Sequence, residues 1–320
     1  MKKIDFTLCA MRIFIMSEFC PPIKKFKGKL QCWVSLAEYT SFRVGGRVDY
    51  LAFPVDEEDL RSILALCAAQ GVPYFILGNG TNLLVKDGGV QGVAVSLAQG
   101  FGRIAEISRE EEGGLLLAEA GVALRKLVEF AAERNLSGLE WATGIPGTVG
   151  GGLFMNAGAF AGKMEDHLIA LRLMDPQGNI GEREKSALVL SYRSLALPPG
   201  EVILAGKFRL PAGDGPTIRA RMEEFLRRRR AKQPLDLPSA GSVFKNPPEG
   251  PAGRLIEEVG LKGLTVGGAQ VSEKHANFIV NRGQASARDI LTLIERIREK
   301  VFATKGVRLE MEVQVVGEDE

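Results

Sequence analysis

From residue 44 onward the apolar positions of the chain fall into two periods. At helical spacing, Leu60, Ile63, Leu64 and Cys67 share one face, with Asp56 placed to cap the segment and Gly71 and Pro73 to end it. Leu124, Leu127, Val128 and Ala131 mark a second helix through residue 135, and Ile218, Met222, Phe225 and Leu226 a third over 217–233. A short helix is expected over 253–259. A long one runs through 302 from Ser286, which forms a capping box with Asp289. Short apolar runs between them predict strands: a buried one at 74–77, then 83–85 and 93–97, and a hairpin of 104–107 with 115–120. Further strands are expected at 168–174, 201–210 and 277–280. Strict alternation over 308–316 puts Leu309, Met311, Val313 and Val315 on one face and Glu310, Glu312 and Gln314 on the other. This mixture, without internal repeats, predicts an α+β fold. A domain boundary is expected near 210, where the P-A-G-D-G-P segment of 211–216 breaks the pattern.

Two stretches follow neither period. Residues 144–162 contain seven glycines among nineteen residues and no charge, with Ile145, Val149, Leu153, Phe154 and Met155 in between. Such a composition suits backbone wrapped around something large, flat and partly polar, because glycine lets a ligand approach main-chain N–H groups. A tight crossing of two packed elements would use the same residues. The loop Gly78-Asn79-Gly80-Thr81-Asn82 follows a strand and can turn successive N–H groups toward an anion, or can simply turn the chain. Neither stretch has the G-x-x-x-x-G-K-[ST] spacing of a P-loop or the G-x-G-x-x-G of a Rossmann turn. Two such loops about sixty residues apart suggest a dinucleotide held without a Rossmann fold.

Charge and composition narrow the classes. Lys+Arg 41 against Asp+Glu 39 gives no reason to expect nucleic acid or a membrane surface as partner. The basic run 227–230 ends the third helical pattern and reads as a solvated helix end, where cations favour the dipole. Cys9, Cys20, Cys32 and Cys67 form no C-x-x-C pair, and His167 and His275 are the only histidines, so no metal site is expected. Lys2 and Lys3 before an apolar run imitate a signal peptide, but Arg12 interrupts the run and no small-residue cleavage site follows before Pro21. No segment has the roughly 18 uninterrupted apolar residues of a membrane span. A cytoplasmic monomer acting on a small molecule is expected.

Several long motifs carry a family resemblance: S-F-R-V-G-G (41–46), L-G-N-G-T-N-L-L-V (77–85), G-I-P-G-T-V-G-G-G-L-F-M-N-A-G-A (144–159) and A-G-S-V-F-K-N-P (240–247). They continue through A-G-R-L-I-E-E-V-G-L-K-G (252–263), G-G-A-Q-V-S-E-K-H-A-N-F-I-V-N (267–281) and L-E-M-E-V (309–313). In this order they resemble the UDP-N-acetylenolpyruvoylglucosamine reductase family over about residues 30 to 320. The resemblance implies a vanillyl-alcohol-oxidase-like FAD-binding domain of two subdomains over 31–209 and a smaller α+β substrate domain over 210–320, after an N-terminal extension at 1–30. It implies FAD as bound cofactor, NADPH as co-substrate, and reduction of UDP-N-acetylglucosamine enolpyruvate. Cofactor contacts would come from Arg43, from Gly78, Asn79, Gly80, Thr81 and Asn82, and from Thr143, Gly144, Ile145, Gly147, Val149, Gly150, Gly151 and Asn156. Arg193, Ser242 and Glu312 would be catalytic. Tyr192, Lys245, Asn246, Lys274 and His275 would hold the substrate.

The chemistry that the resemblance implies suits these residue types. Hydride addition to an enol ether conjugated to a carboxylate builds negative charge on that carboxylate, which a guanidinium fork can hold. The adjacent carbon then needs a proton, and a positioned donor contributes about 10²–10⁴ in rate. Ser242 would supply it, with Lys245 and Asn246 within reach to steady its oxyanion. Glu312 could polarise the substrate only if protonated, so a raised pKa is expected. On the residues alone other readings stay open. Ser242 after Gly241 suits a plain turn, Arg193 suits the surface, and His275 and Asn277 could satisfy a buried strand end. Glu310 and Glu312 share one face, and only the motif selects Glu312. The chain departs from the family pattern after Arg193, where S-L-A-L follows, which leaves substrate contacts there unassigned.

Overall fold

A computed structural model describes residues 26–319 of the chain. Cys9, Cys20 and nearly all of the expected N-terminal extension lie outside the described residues. The apolar runs at 47–53 and 90–96 become the central strands of a four-stranded sheet. Its order is β1 (Lys29–Ser35), β2 (Arg47–Phe53), β5 (Val90–Ser96) and β3 (Tyr74–Leu77), with β1 antiparallel and the others parallel. Helix α1 (Glu57–Gln70) returns the chain from β2 to β3. Asp56 caps it by accepting the Asp59 N–H at 2.8 Å, and Gly71 ends it at φ 64°. Its buried face is the predicted one, Leu60, Ile63, Leu64 and Cys67.

A second sheet is antiparallel throughout, in the order β11 (Ile180–Glu184), β10 (Leu168–Met174), β14 (Val202–Pro211), β7 (Gly113–Glu119), β6 (Ile104–Glu110). Helix α2 (Leu124–Glu133) buries Leu124, Leu127, Val128 and Ala131 as its spacing predicted. Both sheets feed one core: Tyr50 and Val93 from the first meet Leu116, Leu171 and Phe208 from the second. Each such fully buried side chain contributes about 1.5–3 kcal/mol, so the loops above this core rest on a rigid platform.

A separate core gathers the C-terminal part. Helices α5 (Ala252–Glu258) and α6 (Ala287–Lys305) pack on the small sheet β15 (Thr265–Val266), β16 (Ala269–Val271), β17 (Ile279–Asn281). The Ser286–Asp289 capping box is present at the start of α6. Phe42, Val44 and Leu84 from the first half insert into this core. Polar contacts stitch the seam. Asn281 Nδ2 donates to the Phe42 carbonyl at 2.9 Å, and the Asp87 carboxylate accepts the Ala287 and Arg288 N–H groups at 2.8 and 2.9 Å.

Three expectations change. Strand β3 is not buried: it is the sheet edge, and Ile76 is 38% exposed. The alternating segment 308–316 keeps its pattern, with Leu309 and Val313 buried and Glu310 exposed, but it is not one strand. Its partners change midway. Residues 310–312 bond to the 243–245 backbone, while β18 (Gln314–Val316) pairs in parallel with β4 (Leu83–Val85) of the first half. Helix α4 (Gly215–Lys232) lies beyond the expected boundary at 210 yet packs Met222 and Phe225 onto the first core, and the second core begins only at Ala240. The packing break therefore falls after α4, because the helix's apolar stripe finds its partners in the first body.

Candidate active site

The seam between the two cores opens into a cavity of about 1620 Å³, larger than the roughly 300–1,000 Å³ that holds one drug-sized ligand. Arg43, Gly78, Asn79, Gly80, Thr81 and Asn82 line it, as do Gly144, Ile145, Gly147, Gly150 and Gly151. Arg193, Ser242 and Glu312 line it too. Three segments far apart in sequence thus converge because the two cores share strands and a seam.

The first glycine loop leaves the end of β3. At Gly80, φ is 59° and a Cβ would lie 2.0 Å from the Tyr39 carbonyl, so only glycine fits. The N–H groups of Asn79, Gly80 and Thr81 have no acceptor among the described residues. Asn82 is used differently from the expectation: its Nδ2 donates to the Glu312 carbonyl at 3.0 Å and its own carbonyl accepts the Gln314 N–H at 3.0 Å. The second loop crosses the first directly, with the Thr81 hydroxyl 3.4 Å from the Pro146 carbonyl. Helix α3 (Val149–Phe154) begins inside it, capped by Thr148 Oγ1 accepting the Gly151 N–H at 3.2 Å. The Gly147 and Thr148 N–H groups also lack an acceptor among the described residues.

Rows of unsatisfied N–H groups beside an apolar wall of Leu77, Ile145 and Phe154 fit a diphosphate-bearing ligand with a flat ring, which is the shape of FAD. No histidine or cysteine stands in either loop. Cys67, at the edge of the cavity, carries a thiol that burial pushes up to about 12, so it stays protonated.

Thr143, Val149 and Asn156 support this wall rather than form it. Val149 is fully buried in the first core, and the Thr143 carbonyl accepts a bond from Arg229 at 2.8 Å. Asn156 donates to Glu165 and to the Ser191 carbonyl at 2.5 and 3.0 Å, fixing the loop that carries Arg193.

Arg193 is the second residue of the two-residue turn joining β12 (Val189–Ser191) to β13 (Ser194–Ala196), and its φ of 59° is one that non-glycine residues seldom hold. Nη2 donates to the Gly158 carbonyl at 2.8 Å, and Nε lies 2.9 Å from Glu312 Oε1, an ion pair whose angle falls outside that of a good hydrogen bond. Burial raises the Glu312 pKa, against the pull of Arg193 and, further off, Lys245. Ser242 follows Gly241, whose φ is 77°. Its neighbour Val243 donates to the Asn277 carbonyl and accepts the Glu312 N–H, both at 2.8 Å. Asn277 also closes a pair of side-chain bonds on Phe244, at 3.0 and 2.8 Å. The Ser242 hydroxyl has no partner among the described residues.

The five expected substrate contacts do not line the cavity. Lys245 is held by Glu310 at 2.6 Å, and Lys274 by the Arg230 carbonyl at 2.6 Å. Asn246 caps α5 through the Ala252 N–H at 2.9 Å, and its own N–H reaches the Tyr192 hydroxyl at 3.4 Å. His275 packs on Phe278 and accepts the Asn277 N–H at 3.2 Å, with burial lowering its pKa. Lys245 and Asn246 thus bond to Glu310 and to the Ala252 N–H, and neither bonds to Ser242. The segment 233–241 lines the cavity instead, as does Arg229. Arg229 is the largest correction to the sequence reading: it is 7% exposed, not part of a solvated helix end. The signal was present, since Ile218, Met222, Phe225 and Arg229 fall on one helical stripe. Among the described residues no cluster of three or more His, Cys, Asp or Glu could hold a metal, and no helix is long and apolar enough to cross a membrane.

Comparison with known proteins matches residues 48–182 to the FAD binding domain family and residues 233–316 to the UDP-N-acetylenolpyruvoylglucosamine reductase C-terminal domain. The UDP-N-acetylenolpyruvoylglucosamine reductase of Clostridioides difficile (strain 630) is 46% identical over 287 residues, 89% of this chain and 92% of that protein. The reductase of that name from Geobacter metallireducens is 47% identical over 284 residues, 89% and 93% of the two chains. The crystal structure of the Thermus caldophilus enzyme superposes with a TM-score of 0.77 at 39% identity, over 90% of this chain and 99% of that one.

Proposed function

The chain belongs to the UDP-N-acetylenolpyruvoylglucosamine reductase family, and on that premise we propose how its own residues carry the reaction. It is an FAD-dependent oxidoreductase that reduces UDP-N-acetylglucosamine enolpyruvate in peptidoglycan precursor synthesis. The observation that carries the assignment of roles is the convergence of Arg193, Ser242 and Glu312 on one cavity with two glycine loops. When bound, FAD would supply hydride transfer between NADPH and the enolpyruvyl double bond. The free N–H groups of residues 79–81 and 147–148 would hold its diphosphate, and Ile145 and Phe154 would pack against its ring system.

Arg193 holds the enolpyruvyl carboxylate. Its fork is aimed by the Gly158 carbonyl and by Glu312, so the charge that grows on the carboxylate meets a cation already in place. Ser242 gives its hydroxyl proton to the carbon next to the carboxylate and takes one back from solvent in the cavity; the hydroxyl is free for this and its backbone is locked on both sides. Glu312, whose pKa burial raises, stands beside the same carboxylate and in its protonated form donates a hydrogen bond to it. Both reactants, a reduced nicotinamide and a sugar nucleotide, are consistent with a cytoplasmic reaction.

The test is direct. Purified protein should be yellow, should bleach with NADPH under anaerobic conditions, and should regain colour when UDP-N-acetylglucosamine enolpyruvate is added. Protein that cannot be loaded with FAD, or reduced protein that the substrate leaves bleached, would remove the reading.

A further inference from the structure

One buried charge is not used by the chemistry above. Arg229 sits on α4 between Arg227, Arg228 and Arg230, all exposed, yet it is itself 7% exposed and lines the cavity. Its Nε donates to the Thr143 carbonyl at 2.8 Å and Nη2 reaches the Trp141 carbonyl at 3.4 Å. The guanidinium carbon lies 5.1 Å from the centroid of Phe160, which stacks on Phe225 at 4.6 Å. Gly144 lets the arginine lie against the loop: a Cβ there would stand 3.1 Å from Arg229 Cδ. No carboxylate pairs with Arg229 among the described residues, and Nη1 has no acceptor. Burial pushes the guanidinium down to about 10, so the cation persists at neutral pH.

Two carbonyls and a ring face are thin compensation for a buried charge, whose desolvation costs several kcal/mol. The neighbouring arginines show that a position in solvent was open to this helix end. A buried, unpaired cation facing a cavity points to an anion that belongs there. A cofactor diphosphate has its own donors in residues 79–81 and 147–148, and the substrate carboxylate has Arg193. Two anions remain, the substrate's own diphosphate and charge arising next to the 143–145 loop, and the bond to the Thr143 carbonyl with the close approach to Gly144 favours the second.

We infer that Arg229 is the binding residue for the negative charge that FAD acquires on reduction. This rests on the FAD reading above. Neutral FAD taking up a hydride, two electrons and one proton, gains one net negative charge, shared by N1 and the adjacent carbonyl oxygen of its pyrimidine ring. The charge leaves again when the hydride passes to the substrate. A guanidinium beside that edge stabilises reduced over oxidised cofactor and so sets the driving force of both half-reactions.

The test is the midpoint potential of the bound cofactor, measured by dye-linked spectrophotometric titration for wild type, Arg229→Gln and Arg229→Lys. Gln keeps a donor for the Thr143 carbonyl but not the charge. It should weaken the preference for reduced over oxidised FAD at least about tenfold, a fall of about 30 mV for this two-electron couple. Lys should restore most of it, which a merely structural role for the side chain would not predict. Wild type supplies a second reading that needs no variant. If the reduced cofactor stays anionic, its uptake of one proton per two electrons moves the potential by about 30 mV per pH unit, on both sides of neutrality. A slope of twice that just below neutrality would mean a neutral reduced cofactor and would overturn the inference. So would an FAD-loaded Gln variant with unchanged potential, including one in which only the KM for the sugar nucleotide rises. In that event the FAD reading stands, whereas wild-type protein that binds no FAD removes the reading itself.

Discussion

Ser242→Ala separates the two halves of the reaction. The substitution keeps Cβ and removes a hydroxyl that has no partner among the described residues. The backbone on either side is held by main-chain bonds that alanine leaves intact, Val243 N–H to the Asn277 carbonyl and Glu312 N–H to the Val243 carbonyl, both at 2.8 Å. The left-handed residue in the turn is Gly241, not Ser242, so no strain is added. Stability should therefore stay within about 0.5 kcal/mol of wild type. Reduction of the flavin by NADPH needs no proton on the substrate and should proceed at near the wild-type rate. Reoxidation by the enolpyruvyl substrate loses a positioned proton donor, worth about 10²–10⁴ in rate, or about 2.7–5.4 kcal/mol of barrier. Anaerobic stopped-flow on flavin absorbance reads the two steps in turn. Equal slowing of both, or a loss below about tenfold in the second, would refute the proton-donor role.

Four further outcomes follow from the same geometry. Glu312→Gln should slow reoxidation by about 10²–10³, while Glu310→Gln, whose carboxylate is 73% exposed and paired with Lys245, should stay near wild type; the opposite order would move the role to Glu310. Because burial raises the Glu312 pKa in the fold, its contribution to stability is fully present below the ordinary glutamate pKa and is lost as pH rises through the raised value. The urea midpoint of wild type minus that of Glu312→Gln should thus decline over this window, and a difference that does not change with pH would contradict the direction of the shift. Asn82→Ala removes a bond of 3.0 Å to the Glu312 carbonyl, about 0.5–1.5 kcal/mol, and should disturb reoxidation more than Thr81→Ala does in the same stopped-flow experiment. Asp87→Ala uncovers the Ala287 and Arg288 N–H groups and should lower stability by about 0.5–2 kcal/mol in urea titration with FAD affinity unchanged.

The local elements were readable because period and capping are local. Asp56, Gly71, Ser286 and Asp289 act as the sequence predicted. Partners were not readable from period. Nothing in the alternation of 308–316 announces that residue 312 bonds to Val243 while residues 314–316 cross to β4. The same limit explains the candidate site. Arg193, Ser242 and Glu312 reach the cavity as the motifs implied, but Lys245, Asn246, Lys274 and His275 are polar residues whose own neighbours claim them, which only the fold reveals. Arg229 departs from expectation for the opposite reason. Its charge suits a solvated helix end, but its position on the apolar stripe places it inside.

The glycine loops and the chemistry are less independent than their distance along the chain suggests. The loop of residues 78–82 runs straight into β4, β4 pairs with β18, and Glu312 stands just ahead of β18; Asn82 Nδ2 donates to the Glu312 carbonyl and the Asn82 carbonyl accepts the Gln314 N–H, both at 3.0 Å. Glu312 in turn bonds to Val243, next to Ser242, and its carboxylate meets Arg193, whose fork is held by Gly158 at the end of the second glycine stretch. Backbone and side-chain bonds together therefore link one glycine loop through Glu312, the Ser242–Val243 backbone and Arg193 to the other. Ser242 is joined to that linkage through main-chain bonds alone, Val243 N–H to the Asn277 carbonyl and Glu312 N–H to the Val243 carbonyl, so replacing its side chain leaves the links among Asn82, Glu312, Arg193 and Gly158 in place. That is the physical ground for expecting Ser242→Ala to report on proton transfer alone.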